Sequence, residues 1–511
     1  MGVAGLATAG GSAVFHATRV HPAPYDPREG RVNGGAGVRE DLRGGTAVAV
    51  RLAGGAPLRE ALGGAEAGDW LVLDAAVREV AWCRSRLLPE WEHTDPLPAE
   101  LTHLGESRLA LALCHRDGRV REAAVRRSAR CPGLLPLIVI RCADWAEPVR
   151  ERARELLREV LDARTAVGLA PLILRVGCRD RGAFGIGLLE EVLGRASRGR
   201  LTALFDHPER TVRRFGYRLA VGHRLLGPAE LAHAAARDQD TVVQDLCATA
   251  AVTSLRDEGG ACDEVLTPLL TARSPRTRSA GVTALRRAGR PKQAEVFLVD
   301  RSALVRACAR YVVRQHGGDP APWYREWCAA PDDFGLPPGA VIGLAECGDR
   351  ADAGLLWPLL AHPAAGVRAR AVAGLRVLDL ADAERLRPLL DDPAPAVVRE
   401  TTAALLPSVK QLSAGWLLER SGPGRPRHVR VAAFRLLDAQ GGVVALRVAV
   451  RLLEDPDVKL RTWAEQSVQR WHPSAEVRCG DAEVGELLDR SRHLFSDYVL
   501  RRRKREAGLD G

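Results

Sequence analysis

The sequence predicts an all-α protein, an α-solenoid of about a dozen helical hairpins of roughly 31 residues each. Two observations support this prediction. A motif made of a loop with proline, a Val-Arg pair and an apolar helix recurs along the chain. Within each copy, apolar residues follow one another at intervals of three or four positions, as they do on one face of an α-helix.

The copy that begins at residue 362, "HPAAGVRARAVAGL", illustrates the pattern. Val367, Ala371 and Leu375 fall on one face of a helix, and the segment before the loop, "AGLLWPLL", predicts a shorter helix. Proline cannot continue a helix, so the loop separates the two. Neither short helix can bury its apolar face alone, which is why stacked hairpins repeat the same face. Degenerate copies are expected near Arg179 and Asp332, where the spacing between copies doubles.

The arginine of the repeated pair predicts a structural ladder. Aspartates such as Asp392 and Asp455 lie in the loops six or seven residues before it, which indicates ion pairs that tie successive hairpins together. The alternative is a basic stripe that binds phosphates. The ladder positions are Arg121, Arg150, Arg213, Arg278, Arg306, Arg368, Arg399, Arg430 and Arg461.

These repeats resemble HEAT-like repeats of the short type that also occurs in bilin lyases. The resemblance rests on "HPAAGVRARAVAGL", "DDPAPAVVRETTAAL" and "EDPDVKLRTWAEQSV", and it extends over roughly residues 98–477. It implies an architecture of stacked helical pairs. It implies little about activity, because such repeats serve many unrelated functions.

The two ends of the chain differ from the repeats. Residues 1–68 hold 15 of the 50 glycines and show no sustained period, so we expect an irregular or disordered extension there. Residues 69–477 are expected to form the solenoid, starting from an amphipathic helix at Asp69. Residues 478–511 predict a capping helix that ends in the basic run Arg501–Arg505.

The composition is consistent with a protein of the reducing cytoplasm. The net charge is +10, but only 4 of the 74 basic residues are lysines, which is typical of a GC-rich genome such as an actinobacterial one, so the charge is weak support for nucleic-acid binding. Eleven dispersed cysteines without a C-x-x-C pair argue against disulfides and zinc. No apolar run is long enough to span a membrane, and the first residues make a poor signal peptide.

An aromatic cluster and a set of arginines are the candidate partner-binding residues. The segment "WYREW" places Trp323, Tyr324 and Trp327 together, and tryptophan and tyrosine are enriched at binding hot spots. Trp357 and Trp463 fall on apolar helical positions and are interpreted as core, whereas Trp145 falls in a loop. Arginines outside the ladder position lie on second helices, which line the concave side of such arrays: Arg126, Arg154, Arg218 and Arg310.

No motif predicts catalysis, a metal or a cofactor. The sequence contains no H-E-x-x-H, no Gly-Lys dipeptide for a P-loop and no G-x-S-x-G elbow. We therefore expect a non-enzymatic scaffold that binds a protein partner through its concave surface. The alternatives are a nucleic-acid-binding solenoid, which would bring the second-helix arginines together without acidic neighbours, and a lyase-type enzyme.

Overall fold

The computed structural model describes residues 37–83, 104–255, 262–474 and 477–509. These ranges contain helices and no strand, which confirms the predicted all-α class. The chain divides into two compact units, Met1–Ser254 and Leu255–Gly511. No helix within the described ranges is both long and apolar enough to cross a bilayer.

Helices of the first unit alternate with short loops. In chain order they are α1 (Gly37–Ala53), α2 (Leu58–Ala61), α3 (Ala67–Cys83), α4 (Glu106–Leu113), α5 (Gly118–Arg127), α6 (Leu135–Arg141), α7 (Glu147–Val160), α8 (Ala163–Gly177), α9 (Ala183–Gly194), α10 (Arg198–Phe205), α11 (Arg210–Gly222), α12 (Pro228–Arg237) and α13 (Thr241–Thr253).

The second unit continues the alternation. Its α-helices are α14 (Cys262–Leu270), α15 (Pro275–Arg287), α16 (Ala303–Gln315), α17 (Pro320–Cys328), α18 (Pro338–Cys347), α19 (Ala353–Leu356), α20 (Ala365–Val377), α21 (Ala383–Leu386), α22 (Pro395–Leu405), α23 (Ala414–Arg420), α24 (Arg427–Gln440), α25 (Gly442–Leu452), α26 (Val458–Arg470), α27 (Ala482–Arg490) and α28 (Asp497–Glu506). Short 3₁₀ helices occupy Ser128–Arg130, Pro132–Leu134, Pro291–Val299, Arg350–Asp352, Pro358–Ala361, Arg387–Asp391, Leu406–Gln411 and Arg492–Leu494.

Successive helices pair into helical hairpins. Between Glu106 and Arg470 the described residues form five hairpins in the first unit and seven in the second, in agreement with the dozen predicted. The degenerate copies near Arg179 and Asp332 also fold as hairpins, α8–α9 and α17–α18. Several first helices include a 3₁₀ stretch, because proline in "WPLL" and "LRPLL" interrupts the α-helical hydrogen bonds.

Each second helix buries the face that the sequence pattern predicts. In α20, Val367, Ala371 and Leu375 are fully buried between neighbouring helices. Side-chain caps that accept hydrogen bonds from the first free N–H groups begin many of the helices. The capping residues are Asp117, Asp162, Asp240, Ser274, Asp319, Asp382, Ser413, Asp457, Asp481 and Ser496.

The structure differs from the expectation of an irregular segment over residues 1–68. Helices α1 and α2 fall inside this range, and Leu52 and Leu58 join the buried core of the first unit. Gly45 allows α1 to approach α3, because a Cβ atom there would lie 2.6 Å from the carbonyl oxygen of Val72. The glycines that suggested disorder therefore include one that serves close helix packing. Residues 1–36 lie outside the described ranges.

The C-terminal end is helical and partly neutralised. The basic run lies on α28, where Glu506 accepts from Arg502 at 2.8 Å and pairs with Arg503 at 3.3 Å. Lys504 pairs with Asp489 of α27 at 2.8 Å. Two carboxylates, Glu506 and Asp489, thus neutralise part of the charge that the sequence concentrates in "RRRKR".

Candidate functional site

The ladder arginines join adjacent hairpins. The residue six positions before the ladder position lies in the loop between the two helices of a hairpin, and we call it the loop-start residue. In Arg368, Nη1 donates to the carbonyls of His362 and Pro363 in its own loop, at 2.8 and 2.9 Å. Its Nε and Nη2 donate to the carboxylate of Asp392, the next loop-start residue, at 2.8 and 2.9 Å. One guanidinium therefore fixes its own loop and the following one.

The same arrangement recurs within both units. Each loop-start aspartate also accepts a hydrogen bond from the N–H two residues later, as Ala394 donates to Asp392 at 2.8 Å. In four of the five pairs Nε and Nη2 both donate to the carboxylate, which is the strong, charge-assisted kind of protein hydrogen bond. In the fifth, Nη2 of Arg430 donates to Asp455 and its Nε donates to the carbonyl of Ser421 at 3.5 Å. The pairs are Arg121–Asp144, Arg213–Asp238, Arg278–Asp300, Arg368–Asp392 and Arg430–Asp455.

Four predicted ladder residues depart from the pattern. Arg306 pairs with Glu346 of α18 instead of a loop aspartate. Arg150 and Arg461 donate to main-chain carbonyls of their own loops, from Asp144 and Asp455 respectively.

Arg399 lies one residue beyond the ladder position and needs a correction. Its side chain is 67% exposed and pairs with the adjacent Glu400 at 3.5 Å. The residue six positions after the loop-start Asp392 is Val398, which is buried. The preceding valine in "AVVRE" shifts the Val-Arg pair by one residue relative to the other copies.

Arginines outside the ladder have acidic or carbonyl partners. Arg126 pairs with Glu122 at 2.6 Å, and Arg154 pairs with Glu151 at 3.0 Å while it donates to the carbonyl of Cys142 at 3.1 Å. Arg310 is buried and pairs with Glu346 at 2.7 Å. Arg218 is half-buried on α11 and also has a partner. These side chains do not form the unneutralised set that nucleic-acid binding was expected to require.

The "WYREW" cluster is mostly structural. Tyr324 is 0% exposed, and its hydroxyl donates to the carbonyl of Leu298 at 2.7 Å. Burial raises the pKa of Tyr324 to about 12. Trp323 packs edge-on against Tyr324, with ring centroids 5.4 Å apart, and it is half-buried, as is Trp327. Tyr324 is therefore a core residue and not a contact residue, because α17 turns it inward against α18.

Trp145 is an exposed aromatic residue in the loop between α6 and α7 of the first unit. Its side chain is 64% exposed, although its loop is held firmly. The carboxylate of Asp144 accepts from the N–H of Ala146 at 3.0 Å, and Arg150 donates to the carbonyls of Asp144 and Trp145 at 3.0 and 3.4 Å. Arg121 lies 5.5 Å from the ring centroid. A rigid backbone thus presents an apolar side chain to solvent.

Phe334 has the corresponding place in the second unit. It follows Asp333 as Trp145 follows Asp144, and it is 83% exposed. The carboxylate of Asp333 accepts from the N–H of Gly335 at 2.8 Å, and its carbonyl accepts from Nε2 of His362 at 3.0 Å. Trp145 and Phe334 are thus two exposed aromatic rings that each follow an aspartate that fixes the loop. The sequence pattern gives their place in the loops but not their exposure.

The charges near the two rings differ. The loops before and after that of Trp145 carry exposed arginines, Arg116 and Arg179. Phe334 follows two aspartates, Asp332 and Asp333. The same two loops also carry exposed aspartates, Asp117 and Asp180, so the charge around Trp145 is mixed, whereas the loop of Phe334 is acidic.

Trp463 was expected in the core but is 42% exposed on α26. The face of α26 that packs inward carries Leu460, Ala464 and Val468. Trp463 is one position away from this face, so its indole reaches solvent.

The described residues offer little to reactive chemistry. They contain no group of three or more His, Cys, Asp or Glu side chains that could hold a metal ion. Burial raises the pKa of the thiols of Cys142 and Cys247 to about 12, so neither is a thiolate at neutral pH. Burial likewise raises the pKa of Cys328 to about 12.

A cleft of about 680 Å³ lies in the first unit between α11 and α12. Stacked rings of Phe205 and Tyr217 line it, with centroids 4.8 Å apart. The ladder pair Arg213–Asp238 forms part of its wall, with Nε and the carboxylate 2.9 Å apart. The cleft is thus built from the contacts that hold these hairpins together.

Comparison with known proteins adds little to these observations. No protein-family model matches the sequence, and no curated protein matches it. A similar solved structure comes from work titled "Structural Basis of Tubulin Recruitment and Assembly by Microtubule Polymerases with Tumor Overexpressed Gene (TOG) Domain Arrays". That chain is 10% identical, the match covers 70% of this chain and 99% of the other, and the TM-score is 0.21. At this TM-score the likeness carries no argument about function.

Proposed function

We propose that this protein is a non-enzymatic helical-repeat scaffold that binds a protein partner through its hairpin loops, with Trp145 as the main anchor. The observation that carries the proposal is the 64% exposure of this indole on a loop that hydrogen bonds hold in place. Because hydrogen bonds already fix the loop backbone, binding costs little backbone conformational entropy. Tryptophan is also frequent among hot-spot residues.

The surroundings of the anchor indicate the kind of contact. Because the exposed charges in the loops next to that of Trp145 have both signs, we expect the indole itself to carry most of the contact, in an apolar pocket of the partner. In the second unit, Phe334 provides a separate contact next to Asp332 and Asp333. Loop-mediated binding replaces the concave surface and the "WYREW" cluster as our preferred interface, since Tyr324 is buried and the second-helix arginines have partners.

Binding of nucleic acid has less support. Arg126, Arg154 and Arg310 each lie within 3.0 Å of a glutamate oxygen. A phosphate would have to compete with those carboxylates for each guanidinium. We also place the protein in the reducing cytoplasm, in keeping with its dispersed free cysteines.

The test is affinity capture from extracts of cells that contain the protein, at moderate salt and after nuclease treatment. We expect the wild type to enrich a protein that the Trp145→Ala variant loses, because removal of a hot-spot tryptophan costs about 2 kcal/mol or roughly thirtyfold in affinity. Trp463→Ala, which removes another exposed indole, is the matched control and should retain the protein. Equal recovery with Trp145→Ala, or recovery that nuclease abolishes, would contradict the proposal.

A further inference from the structure

Two carboxylates and three arginines meet in the interior of the first unit. Asp144 accepts from Nε and Nη2 of Arg121 at 2.9 and 2.7 Å, and from Nη1 of Arg141 at 3.0 Å. Asp74 of α3 accepts from Nη2 of Arg141 and from Nε of Arg78, the latter at 3.3 Å. Arg78 also approaches Asp144 at 3.6 Å. The ladder pair Arg121–Asp144 is thus part of a larger charged cluster.

This cluster lies in a desolvated position and is incompletely satisfied. Arg121, Arg141 and Asp144 are buried, whereas the side chain of Arg78 remains 32% exposed and leads to solvent. Nε of Arg141 is buried and has no hydrogen-bond partner among the residues that the structure describes. Buried donors of charged groups are rarely left without an acceptor, because desolvation without a hydrogen bond is costly.

Positive charge exceeds negative charge here. Arg179, in the loop between α8 and α9, lies within electrostatic range of Asp74, Asp144 and Arg141. In the described part of the chain, three guanidinium groups contact two carboxylates and that of Arg179 lies within electrostatic range, which leaves a net charge of +2. The thiol of Cys114 does not compensate, because burial, followed by the negative charge of Asp74, raises its pKa and keeps it neutral.

Titration of Arg78 differs from that of an arginine in a simple ion pair. Desolvation, followed by the charge of Arg141, lowers the pKa of Arg78 despite its contacts with Asp74 and Asp144. An arginine in a balanced ion pair behaves differently: hydrogen bonds from Arg213 to Asp238 raise the pKa of Arg213.

We infer that the outer side of this cluster, formed by Arg78 and Arg179 in front of Arg121 and Arg141, is a binding site for an oxyanion, either a phosphate or a carboxylate. Planar guanidinium groups match both anions with two parallel hydrogen bonds. An anion at this place would balance the excess charge. The site lies beside the Trp145 loop, since Arg121 contacts both Asp144 and the indole. The inference does not depend on the proposed partner, because a free anion would serve equally well.

The experiment measures the melting temperature of the full chain in sodium phosphate and in sodium chloride at equal ionic strength, together with calorimetric titration of phosphate and of a poly-glutamate peptide. We expect phosphate to raise the Tm with a saturable concentration dependence that chloride does not reproduce. Arg179→Gln should reduce the affinity about tenfold or more, as expected for loss of a charged hydrogen-bonding pair. Arg195→Gln, which removes an exposed arginine that pairs with Glu191, should leave the affinity unchanged.

The outcomes separate the two sources of the oxyanion. Binding of phosphate alone identifies a free anion, and binding of poly-glutamate that phosphate displaces identifies an acidic side chain of a partner. An equal response of wild type and Arg179→Gln, or no saturable response of the wild type to either probe, would overturn the inference. Failure here would leave the Trp145 proposal intact, since the capture experiment tests that proposal separately.

Discussion

Removal of one carboxylate from the ladder should destabilise the second unit far more than removal of an exposed ion pair. Asp300 accepts from Nε and Nη2 of Arg278, both at 2.9 Å, and from the N–H of Ser302 at 2.7 Å. The side chains of Arg278 and Asp300 are almost fully buried. Asp300→Ala leaves a buried guanidinium without its counter-ion, which typically costs about 3–5 kcal/mol.

A double-mutant cycle measures the coupling energy between the side chains of Arg278 and Asp300. We expect Asp300→Ala to lower the free energy of unfolding by about 3 kcal/mol and the coupling energy between Asp300 and Arg278 to be about 2 kcal/mol. The exposed pair Arg195–Glu191 is the control, with a coupling energy below about 0.5 kcal/mol. Urea unfolding followed by circular dichroism gives the free energies. Hydrogen exchange across α15 and α16 shows whether the loss is local, since repeat arrays do not always unfold in two states.

The stability that the Asp300 carboxylate contributes should be lost on acidification. Burial by itself would raise the pKa of Asp300, but hydrogen bonds from Arg278 and from the N–H of Ser302 outweigh it, so the pKa lies below its ordinary value. The pair therefore contributes fully above the unfolded pKa of about 3.9 and loses its contribution as the pH falls through the lower folded value. The stability difference between wild type and Asp300→Asn should stay constant from about pH 7 to 5 and shrink below about pH 4. A coupling energy near zero, or a difference that grows on acidification, would refute the reasoning.

Two further substitutions test the packing. Val398→Asp should lower the free energy of unfolding by about 3 kcal/mol or more, because it buries an unpaired charge. Arg399→Asp, at the exposed neighbouring position, should change it by less than about 0.5 kcal/mol. Equal melting temperatures for the two variants would show that the assigned register is wrong. Gly343→Ala should lower the free energy of unfolding by about 1–3 kcal/mol, because the added Cβ atom would lie 2.5 Å from the ring of Tyr324. Gly354→Ala is the control: its Cβ atom would meet no neighbour, so this substitution should not destabilise the protein. Thermal melts that rank the two variants in the opposite order would contradict the packing.

The ladder explains why the loop-start residue is an aspartate in some hairpins and a histidine in others, which the helix periodicity leaves unexplained. In the five ladder pairs the loop-start residue is an aspartate that accepts from an arginine of the preceding hairpin, as Asp392 does from Arg368. Helices α9 and α18 carry Phe184 and Gly339 at the ladder position. In both cases the loop-start residue of the next hairpin is a histidine. Nδ1 of that histidine, His207 or His362, accepts the N–H two residues later at 3.0 Å, as the aspartate carboxylate would. A neutral ring can thus fix the loop where no guanidinium needs a counter-charge.

The sequence alone determined the helical class, the hairpin unit and most of the buried positions. A hairpin of about 31 residues depends on local features: helix periodicity, loop prolines and capping residues act over a few positions and repeat in every copy. The buried face of α20 could therefore be predicted residue by residue.

Tertiary structure decided what the side chains do between hairpins. The burial of Tyr324 depends on α18, the partner of Arg306 is a glutamate 40 residues away, and Asp74 meets Arg141 across 67 residues. None of these distances is encoded in a local pattern. The exposure of Trp145 is likewise a property of the folded loop edge, because a tryptophan in a loop can pack inward or outward with the same neighbours in sequence.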